Sequence, residues 1–280
     1  MEIARTVADL RKHVALWRKG EARVGLVPTM GALHQGHMAL VGAARAECDR
    51  VVASIFVNPK QFAPTEDLGS YPRREAADLE MLRSAGLDLV FIPAVDEMYP
   101  PDFATLVRVG GLTEGLCGAH RPGHFDGVTT VVTKLLIQVL PDIVYFGEKD
   151  YQQLTVVRRL ARDLDLPVRI AGVATVREPD GLALSSRNAY LSAEEHRIAS
   201  NLSRVLYSVA AALAQQPNAV ERELARGVGE LRDAGFEIDY LEIREEETLR
   251  PVTTRVAARS RVFAAVRLGR TKLIDNLPIR

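Results

Sequence analysis

Short β-branched runs alternate with segments of helical periodicity through roughly the first 175 residues of the chain. This alternation is the pattern of βαβ units, which build a parallel sheet. The predicted strands are residues 24–27, 51–57, 87–92, 143–146 and 168–173. The predicted helices between them are residues 72–85, 128–139 and 150–165. The sequence therefore predicts an α/β fold in this part of the chain.

The order of predicted helices and strands changes in the last third of the sequence. Ser192 and Glu195 form a capping-box pattern at the start of a long helix rich in Ala and Leu, and a second predicted helix follows Pro217. Two strand-like runs come next, residues 236–243 and 261–268. This order of elements is typical of a small α+β unit rather than of further βαβ units.

Two domains fit the length of 280 residues, since a domain takes about 150 residues. We place the boundary near residue 180. Residues 1–180 are expected to form a Rossmann-like parallel sheet with helices on both faces, and residues 181–280 a smaller α+β domain.

Composition and charge exclude several classes of protein. Hydrophobic residues make up 47% of the chain and charged residues 26%, which is typical of a folded globular protein. Lys and Arg (36) balance Asp and Glu (36), so no net positive field attracts nucleic acid. Two cysteines, Cys48 and Cys117, cannot build a disulfide framework, and the first 20 residues lack the apolar core of a signal peptide. We expect a cytoplasmic protein.

The longest stretch without Asp, Glu, Lys or Arg, residues 24–44, contains too many polar residues to cross a membrane. It holds the sequence PTMGALHQGH, which directly follows the first predicted strand and leads into a helix predicted to begin near Met38. A glycine-containing loop at a helix N-terminus is suited to binding phosphate through free backbone N–H groups. His34 and His37 are three residues apart and can donate hydrogen bonds to phosphoryl oxygens. Two unrelated histidines, or a metal site without nearby Cys or acidic ligands, are the alternatives.

Two more segments offer groups for a nucleotide. GEKD, residues 147–150, follows a predicted strand, where Lys149 could neutralise a phosphate and Asp150 could accept from a ribose hydroxyl. LSSR, residues 184–187, follows the turn signal Asp180-Gly181 and offers two hydroxyls and a guanidinium. Taken singly, each segment could equally be an ordinary charged or capping loop.

In combination and in this order the motifs are specific. The HxGH element with a distant basic, Ser-rich loop resembles the nucleotidyltransferase superfamily that shares its ATP chemistry with class I aminoacyl-tRNA synthetases. More narrowly, the chain resembles the pantoate–β-alanine ligase (pantothenate synthetase) family. The segments that carry this resemblance are VPTMGALHQGHMALV, SIFVNPKQF, SYPR, RPGHFDGV, PDIVYFGEKDYQQL, TVREPDGLALSSRNAYL and DYLEI. It covers residues 1–280 and is dense as far as Leu191.

The resemblance implies a reaction in two steps with ATP and Mg²⁺. The pantoate carboxylate attacks the α-phosphate and releases diphosphate, and the β-alanine amine then attacks pantoyl adenylate and releases AMP. Neither step needs a covalent enzyme intermediate, which agrees with the lack of a convincing nucleophile and base pair. The resemblance further implies a homodimer and a C-terminal domain that acts as a lid over the site. No nucleic acid or membrane partner is expected.

The resemblance also assigns residues to the site. The catalytic residues would be His34, His37, Lys149 and Arg187, with His37 as proton donor. The ATP-binding residues would be Met30, Gly31, Ala32, Leu33, His34, Gln35, Gly36, His37, Gly147, Glu148, Lys149, Asp150, Val176, Leu184, Ser185, Ser186 and Arg187. Pantoate would bind Gln61 and Gln153, and β-alanine would bind Gln61, Asn58 and Tyr71. Arg121 and His124 would lie near these pockets or in a lid or subunit-contact loop.

The chain departs from the family pattern at two places. Leu184 stands where Met is expected, which is a volume-conserving change. Ala77 and Met81 flank Asp78 where some relatives carry an acidic and Gln cluster associated with metal. We therefore assign no protein ligand for Mg²⁺, which would be held mostly by ATP phosphates and water.

Three rival functions remain on the sequence alone. Another HxGH nucleotidyltransferase would share the phosphate motifs but leaves Gln61 and Gln153 without a reason. A synthetase-like RNA-binding protein is disfavoured by the zero net charge. A non-catalytic ATP sensor would keep the same phosphate-binding residues.

Overall fold

The computed structural model describes residues 1–64, 66–257 and 259–280. The chain forms two compact units. Unit 1 consists of Met1–Gly110, Arg121–Glu148 and Val156–Ala174, and unit 2 of Gly111–His120, Lys149–Thr155 and Thr175–Arg280. Two short segments that precede residue 180 thus pack with the C-terminal part of the chain. The lid role of the C-terminal part stays a prediction.

Unit 1 is built on a six-stranded sheet in which every pair of neighbouring strands is parallel. The strands are β1 (Glu2–Ala4), β2 (Val24–Thr29), β3 (Arg50–Ile55), β4 (Leu89–Phe91), β5 (Ile143–Gly147) and β6 (Arg169–Val173), in the order β1-β4-β3-β2-β5-β6. The predicted Rossmann-like sheet is confirmed. The sequence did not predict β1, because three residues are too short a run to show a periodicity.

The helices of the first 163 residues are α1 (Val7–Lys19), α2 (Gln35–Glu47), α3 (Glu75–Ser84), α4 (Val95–Met98), α5 (Cys117–His120), α6 (His124–Val139) and α7 (Tyr151–Asp163). The predicted helix 72–85 is confirmed in α3, the predicted apolar stripe of 128–139 in α6, and the predicted helix 150–165 in α7. In α6 the first turn also belongs to the helix, because Gly123 in a left-handed conformation opens it one turn before the stripe.

Both faces of the sheet are buried, as expected for a parallel sheet whose strands read as continuous apolar runs. On one face, Val27, Ala53 and Ile143 pack with Leu40 of α2 and Leu82 of α3. Successive side chains of a strand point to opposite faces, so Leu26, Val52 and Val144 lie on the other face, where each is fully buried. That face is covered by α6, which contacts β2 and packs on α1.

The order of the strands creates a switch point beside β2. The chain passes from β2 to β3 on one side and later returns to β5 on the other side. At such a point the connections after two neighbouring parallel strands leave in opposite directions, which opens a crevice at the carboxyl edge of the sheet. The loop that follows β2 begins at this edge, and so does the turn that follows Gly147 at the end of β5.

Unit 2 contains two long helices and an antiparallel sheet of three strands. The helices are α8 (Ala193–Gln215) and α9 (Val220–Asp233), and the strands are β7 (Glu237–Glu245), β8 (Ser260–Leu268) and β9 (Thr271–Ile279) in that order. The predicted capping box is confirmed: Ser192 Oγ accepts from the Glu195 amide at 3.2 Å, and Glu195 Oε2 accepts from the Ser192 amide at 2.8 Å. The predicted α+β character of this part is confirmed.

Strand β9 was not predicted, because Asp275, Asn276 and Pro278 interrupt its apolar pattern. Asp275 and Asn276 are nevertheless buried, with 2% and 3% of their surface exposed. Buried polar side chains need hydrogen-bond partners, and this pair finds them within unit 2. Among the described residues, no helix has the length and apolar character needed to span a membrane.

Candidate active site

The N-terminus of α2 is capped by two histidines. His34 is the residue before the first helical turn, and its Nδ1 accepts a hydrogen bond from the Gly36 amide at 3.1 Å. The Nδ1 of His37 accepts from the His34 amide at 3.3 Å, so that the two side chains form a reciprocal capping box. The helix therefore begins at Gln35 and not near Met38 as predicted. His37 lies inside the first turn, with its ring centroid 4.1 Å from that of His34.

This double cap determines which nitrogen of each imidazole carries the proton. A nitrogen that accepts a hydrogen bond from a backbone N–H cannot hold a proton itself, so each neutral ring is protonated on Nε2. Both rings thus present an Nε2–H donor on the side turned away from the backbone. Two neighbouring imidazole donors at a helix N-terminus are suited to a phosphoryl group.

The loop between β2 and α2 is held by the buried carboxylate of Asp78. Its Oδ2 accepts from the Ala32 amide at 2.9 Å and its Oδ1 from the Leu33 amide at 2.8 Å. Gly31 and Ala32 both have positive φ, 81° and 49°, a turn that glycine adopts readily and alanine only under constraint. Asp78 is 2% exposed, and its two hydrogen bonds supply that constraint.

The backbone of this loop is used inside the protein, which corrects the prediction of free N–H groups. Hydrogen bonds within unit 1 engage the N–H groups of Gly31, Ala32, Leu33, His34, Gly36 and His37. The sequence suggested a glycine-rich anion cradle, but the side chains of Thr29, His34, His37 and Asp78 compete successfully for the same donors. The capping hydrogen bonds use the Nδ1 atoms of the two imidazoles and not their Nε2–H groups.

The residues around Asp78 do not form a metal site. Both of its oxygens already accept backbone hydrogen bonds, and Ala77 and Met81 on the same helix offer no oxygen ligand. Within residues 1–64, 66–257 and 259–280 no group of three or more His, Cys, Asp or Glu side chains could hold a metal ion.

Gln61 lies in a short 3₁₀ turn, Pro59–Gln61, with its amide beside the loop after β2. Its Oε1 accepts from Asn58 Nδ2 at 3.0 Å, and its Nε2 lies 3.1 Å from Met30 Sδ. A thioether is a weak acceptor, so a substrate oxygen could replace it with a gain in hydrogen-bond strength. The structure brings together Met30, Asn58 and Gln61, three residues that the sequence assigned to the site.

Asn58 supports Gln61 and is 1% exposed. Its Nδ2 also donates to the Gly127 carbonyl at 3.1 Å, and its Oδ1 accepts from the Tyr99 hydroxyl at 2.8 Å and the Lys60 amide at 3.3 Å. Burial raises the pKa of Tyr99, so this hydroxyl stays a donor. These bonds use the two donors and two acceptor positions of the Asn58 amide. A direct contact of Asn58 with β-alanine stays a prediction.

The turn that carries Gln61 packs directly on the backbone of α6. A Cβ atom added at Gly127 would lie 2.2 Å from the Lys60 carbonyl oxygen and 2.6 Å from the Gln61 amide nitrogen. No side chain fits there, so glycine at this position lets the turn approach the helix. The close approach sets the distance of Gln61 from α6.

Arg121 and His124 hold the same turn from its other end. His124 Nδ1 donates to the Gln61 carbonyl at 2.9 Å, since a carbonyl can only accept, and His124 Nε2 accepts from Arg121 at 3.0 Å. Arg121 binds both carboxylate oxygens of Glu66, at 2.6 and 2.7 Å. Burial works to raise the pKa of Glu66, but the hydrogen bonds and charge of Arg121 outweigh it and lower that pKa. Arg121 and His124 thus act on Gln61 through its backbone.

Tyr71 is also in unit 1, buried with 6% of its surface exposed and edge-on to Phe62 at a ring distance of 5.7 Å. Its predicted contact with β-alanine stays a prediction. Gly147 ends β5, and Glu148 opens the 3₁₀ turn Glu148–Asp150, whose other two residues belong to unit 2.

In unit 2, the segment that begins with Lys149 is anchored at several atoms. The Lys149 carbonyl accepts from Asn276 Nδ2 at 2.8 Å. The Nζ of the Lys149 side chain lies 3.7 Å from Asp150 Oδ2. Gln152 is buried and donates to the Leu112 and Gly115 carbonyls at 2.9 and 2.8 Å. The two adjacent glutamines therefore differ: Gln152 binds the protein's own backbone, whereas Gln153 is only half-buried.

The remaining nucleotide candidates of unit 2 lie on one hairpin and the turn after it. The Leu184 amide donates to the Val176 carbonyl at 3.0 Å, and Arg177 pairs with Ala183 across the Asp180-Gly181 turn. Ser185 Oγ then accepts from the Arg187 amide at 3.2 Å and opens the 3₁₀ helix Ser186–Tyr190. The structure thus brings Val176 together with Leu184, Ser185, Ser186 and Arg187.

Four residues that the sequence did not assign hold segments that carry candidate residues, two of them in unit 1 and two in unit 2. They are Asp78 under the loop after β2, Glu66 behind Arg121, and Asp275 and Asn276 on β9. Asp78 had one readable signal, a carboxylate on the buried face of an amphipathic helix. The other three act across separations of 55 or more residues, and no local pattern marks such partners.

Comparison with known proteins agrees with this geometry. A family model described as pantoate-beta-alanine ligase matches residues 2–278. The chain belongs to the pantoate–β-alanine ligase family. A curated pantothenate synthetase from Rhizorhabdus wittichii is 55% identical over 280 residues, which cover 100% of this chain and 99% of the relative. The resemblance seen in the sequence is confirmed.

Solved structures of this ligase family have the same fold. The crystal structure of pantothenate synthetase from Thermus thermophilus has a TM-score of 0.94 and 51% identity, covering 100% of this chain and 99% of that one. The Francisella tularensis pantoate-beta-alanine ligase has a TM-score of 0.81 and 32% identity, covering 99% and 97%. That protein was solved in complex with "Beta-gamma ATP" and beta-alanine.

The two hydrogen bonds that Asp78 accepts from the Ala32 and Leu33 amides, here called the carboxylate clamp, lead to a first prediction. In Asp78→Asn, one side-chain oxygen still accepts a backbone hydrogen bond, but the new NH₂ group faces the other backbone N–H, and two donors cannot bond to each other. The substitution should therefore lower the free energy of unfolding by about 2 kcal/mol. It should also raise the KM for ATP by roughly tenfold or more, because the loop no longer holds His34 and His37 in place. Denaturant unfolding and steady-state kinetics measure the two effects. Glu80→Gln on the exposed face of the same helix is the matched control, and an equal loss there would contradict the clamp.

The close approach at Gly127 leads to a second prediction. Gly127→Ala should cost about 1–3 kcal/mol, because the new Cβ pushes the Lys60–Gln61 backbone away, and it should raise the KM for pantoate more than that for ATP. Gly42→Ala in α2 is the control, since its Cβ would meet nothing within 4 Å. Replacing a helical glycine by alanine there should stabilise the protein by about 0.5–1 kcal/mol. Both are read by chemical denaturation, and equal shifts would show that the packing at Gly127 is not restrictive.

The capping box leads to a third prediction. Nitrogen-15 NMR of the histidine side chains at mildly alkaline pH should find His34 and His37 with the proton on Nε2, and His124 with the proton on Nδ1. The His34→Asn and His37→Gln variants assign the signals and keep an acceptor at each capping position. A proton on Nδ1 of His34 or His37 would mean that the caps do not form in solution.

Proposed function

We propose that the chain condenses (R)-pantoate with β-alanine, using ATP, to give pantothenate, AMP and diphosphate through pantoyl adenylate. The observation that carries this proposal is the pair of histidines that cap the N-terminus of α2 directly after the central strand, each with its Nδ1 bonded to the backbone. Membership of the ligase family and the ATP and β-alanine of the Francisella tularensis structure support it. The reaction belongs to the biosynthesis of pantothenate and coenzyme A.

In the first step the pantoate carboxylate attacks the α-phosphorus of ATP. A new bond forms between the carboxylate oxygen and phosphorus while the bond to the bridging oxygen of diphosphate breaks. Negative charge shifts onto the phosphoryl and leaving oxygens during this step, and hydrogen-bond donors and cations stabilise it. His34 and His37 supply the Nε2–H donors, and Lys149 and Arg187 supply the cationic charge.

Pantoate carries a carboxylate and two hydroxyls, so its pocket needs groups that both donate and accept. The Gln61 and Gln153 amides do both. Gln61 is the better supported of the two, because its Nε2 already lies beside Met30 of the histidine loop and its turn is held by Asn58, Gly127 and His124. A substrate that binds this amide is positioned for attack rather than activated by a base.

In the second step the amine of β-alanine attacks the acyl carbon of pantoyl adenylate and AMP leaves. The mixed anhydride is reactive enough that no covalent enzyme intermediate is needed. We assign the β-alanine contacts to Gln61, Tyr71 and Asn58. Asn58 also supports Gln61, because its Nδ2 donates to Gln61 Oε1.

Mg²⁺ enters this proposal as part of the substrate, bound to the phosphates of ATP. Mg²⁺ keeps several water ligands and is commonly held by substrate phosphates, which fits a chain whose described residues offer no metal cluster. A homodimer and a cytoplasmic location complete the proposal on the strength of the resemblance. Light scattering of the purified protein tests the dimer.

Product analysis tests the function. Incubated with ATP, Mg²⁺ and pantoate, the protein should form pantothenate and AMP only when β-alanine is added. His37→Ala should lower diphosphate formation by roughly a hundredfold or more, because one preorganised donor is lost. His13→Ala on α1 is the matched control and should keep full activity. Diphosphate without AMP, even with β-alanine present, would instead indicate a nucleotidyltransferase that leaves the nucleotide on its product.

A further inference from the structure

Strand β9 carries two adjacent buried polar residues whose partners lie on the segments of unit 2 that we assign to the nucleotide. Asp275 binds Arg177 through both carboxylate oxygens, at 2.7 and 2.9 Å, and Arg177 also donates to the Gly181 carbonyl at 3.1 Å. This pair holds the hairpin that leads into Ser185. Asn276 donates to the Lys149 carbonyl at 2.8 Å. One strand is thus bonded to both segments.

Asn276 is itself held in a defined orientation. Its Oδ1 accepts from Arg261 Nη1 at 2.6 Å, which assigns the oxygen to that side of the amide and leaves Nδ2 to face Lys149. Arg261 is 4% exposed, lies 3.4 Å from Glu246 Oε1, and stacks 3.9 Å from the centre of the Tyr151 ring. The Arg261 guanidinium therefore fixes Asn276 and also packs on the residue two positions after Lys149.

Burying an arginine and an asparagine together is costly unless each finds partners. Packing of the three-stranded sheet does not require Arg261 or Asn276, because two apolar side chains could fill the same positions. The consequence of these particular hydrogen bonds is that the backbone of Lys149 cannot shift without breaking a buried bond. The side chain of Lys149 extends from that backbone, so the location of its ammonium group depends on Asn276.

We propose that Asn276 is a positioning residue for Lys149, with Arg261 orienting its amide. Asn276 does not touch ATP; it holds the Lys149 backbone so that Nζ meets the phosphate under attack. This inference rests on the proposed function, because it takes Lys149 to bind the nucleotide.

The test is a double-mutant cycle between Asn276 and Lys149. Asn276→Asp keeps the acceptor for Arg261 but replaces the donor to Lys149 by a second oxygen. In the otherwise native protein it should weaken Mg·ATP binding and slow pantoate-dependent diphosphate release by roughly tenfold. In the Lys149→Ala background the same change should have less than about a twofold effect, because the group that it positions is gone. The KM for β-alanine should not change.

Asn201→Asp is the matched control. Asn201 on α8 also donates to a backbone carbonyl, that of Ile198 at 2.9 Å, and accepts from an arginine, Arg204 at 3.2 Å. The Asn201→Asp substitution makes the same chemical change in the same unit and should leave the affinity for ATP unchanged. If Asn276→Asp fails to fold, Asn276→Ser removes the reach to Lys149 without adding charge, and the same cycle is run with it.

The outcomes separate this inference from the proposed function. A native protein that makes pantothenate while Asn276→Asp binds ATP normally would overturn the positioning role alone. An equal loss in both backgrounds would also overturn it, since it would show a general structural effect. A native protein that binds ATP without turnover leaves the cycle readable from the ATP dissociation constants. A native protein that binds no ATP would overturn both proposals.

Discussion

The candidate site depends on one local constraint, the capping of α2 by imidazole nitrogens above a buried carboxylate. Helix N-termini leave several N–H groups without a partner, and a chain usually satisfies them with Ser, Thr, Asp or Asn side chains. Here His34 and His37 satisfy two of them, and Asp78 satisfies two more in the preceding loop. The cap engages Nδ1 of each histidine and places the ring proton on Nε2.

Side chains also hold the other segments that carry candidate residues. In several segments a neighbouring side chain holds the turn or helix start that carries a residue assigned to the substrate. Asn58 and His124 hold the turn of Gln61, Gln152 holds the helix start that carries Gln153, and Asn276 holds Lys149. A site that acts by positioning and charge stabilisation needs such support more than it needs an activated nucleophile.

Much of this could be predicted from the sequence because the signals were local. Apolar runs of four to seven residues predicted the central strands, and the Ser192 to Glu195 spacing predicted the start of α8. The hydrogen bonds of the loop after β2 could not be predicted from neighbouring residues alone. Its glycines suggested free amides, but Asp78, which lies more than 40 positions later, takes two of them. Likewise β9 was missed, because Asp275 and Asn276 look like surface residues until their partners at 177 and 149 are known.

In the proposed first step the carboxylate of pantoate becomes bonded to the α-phosphorus of ATP. Pantoate labelled with oxygen-18 in its carboxylate tests this most directly, because the bridging oxygen of the adenylate leaves with the nucleotide. With β-alanine and ATP present, mass spectrometry of the products should find one labelled oxygen in AMP and none in diphosphate. Label in inorganic phosphate or diphosphate, with unlabelled AMP, would show that the carboxylate attacks a different phosphorus and would contradict the account.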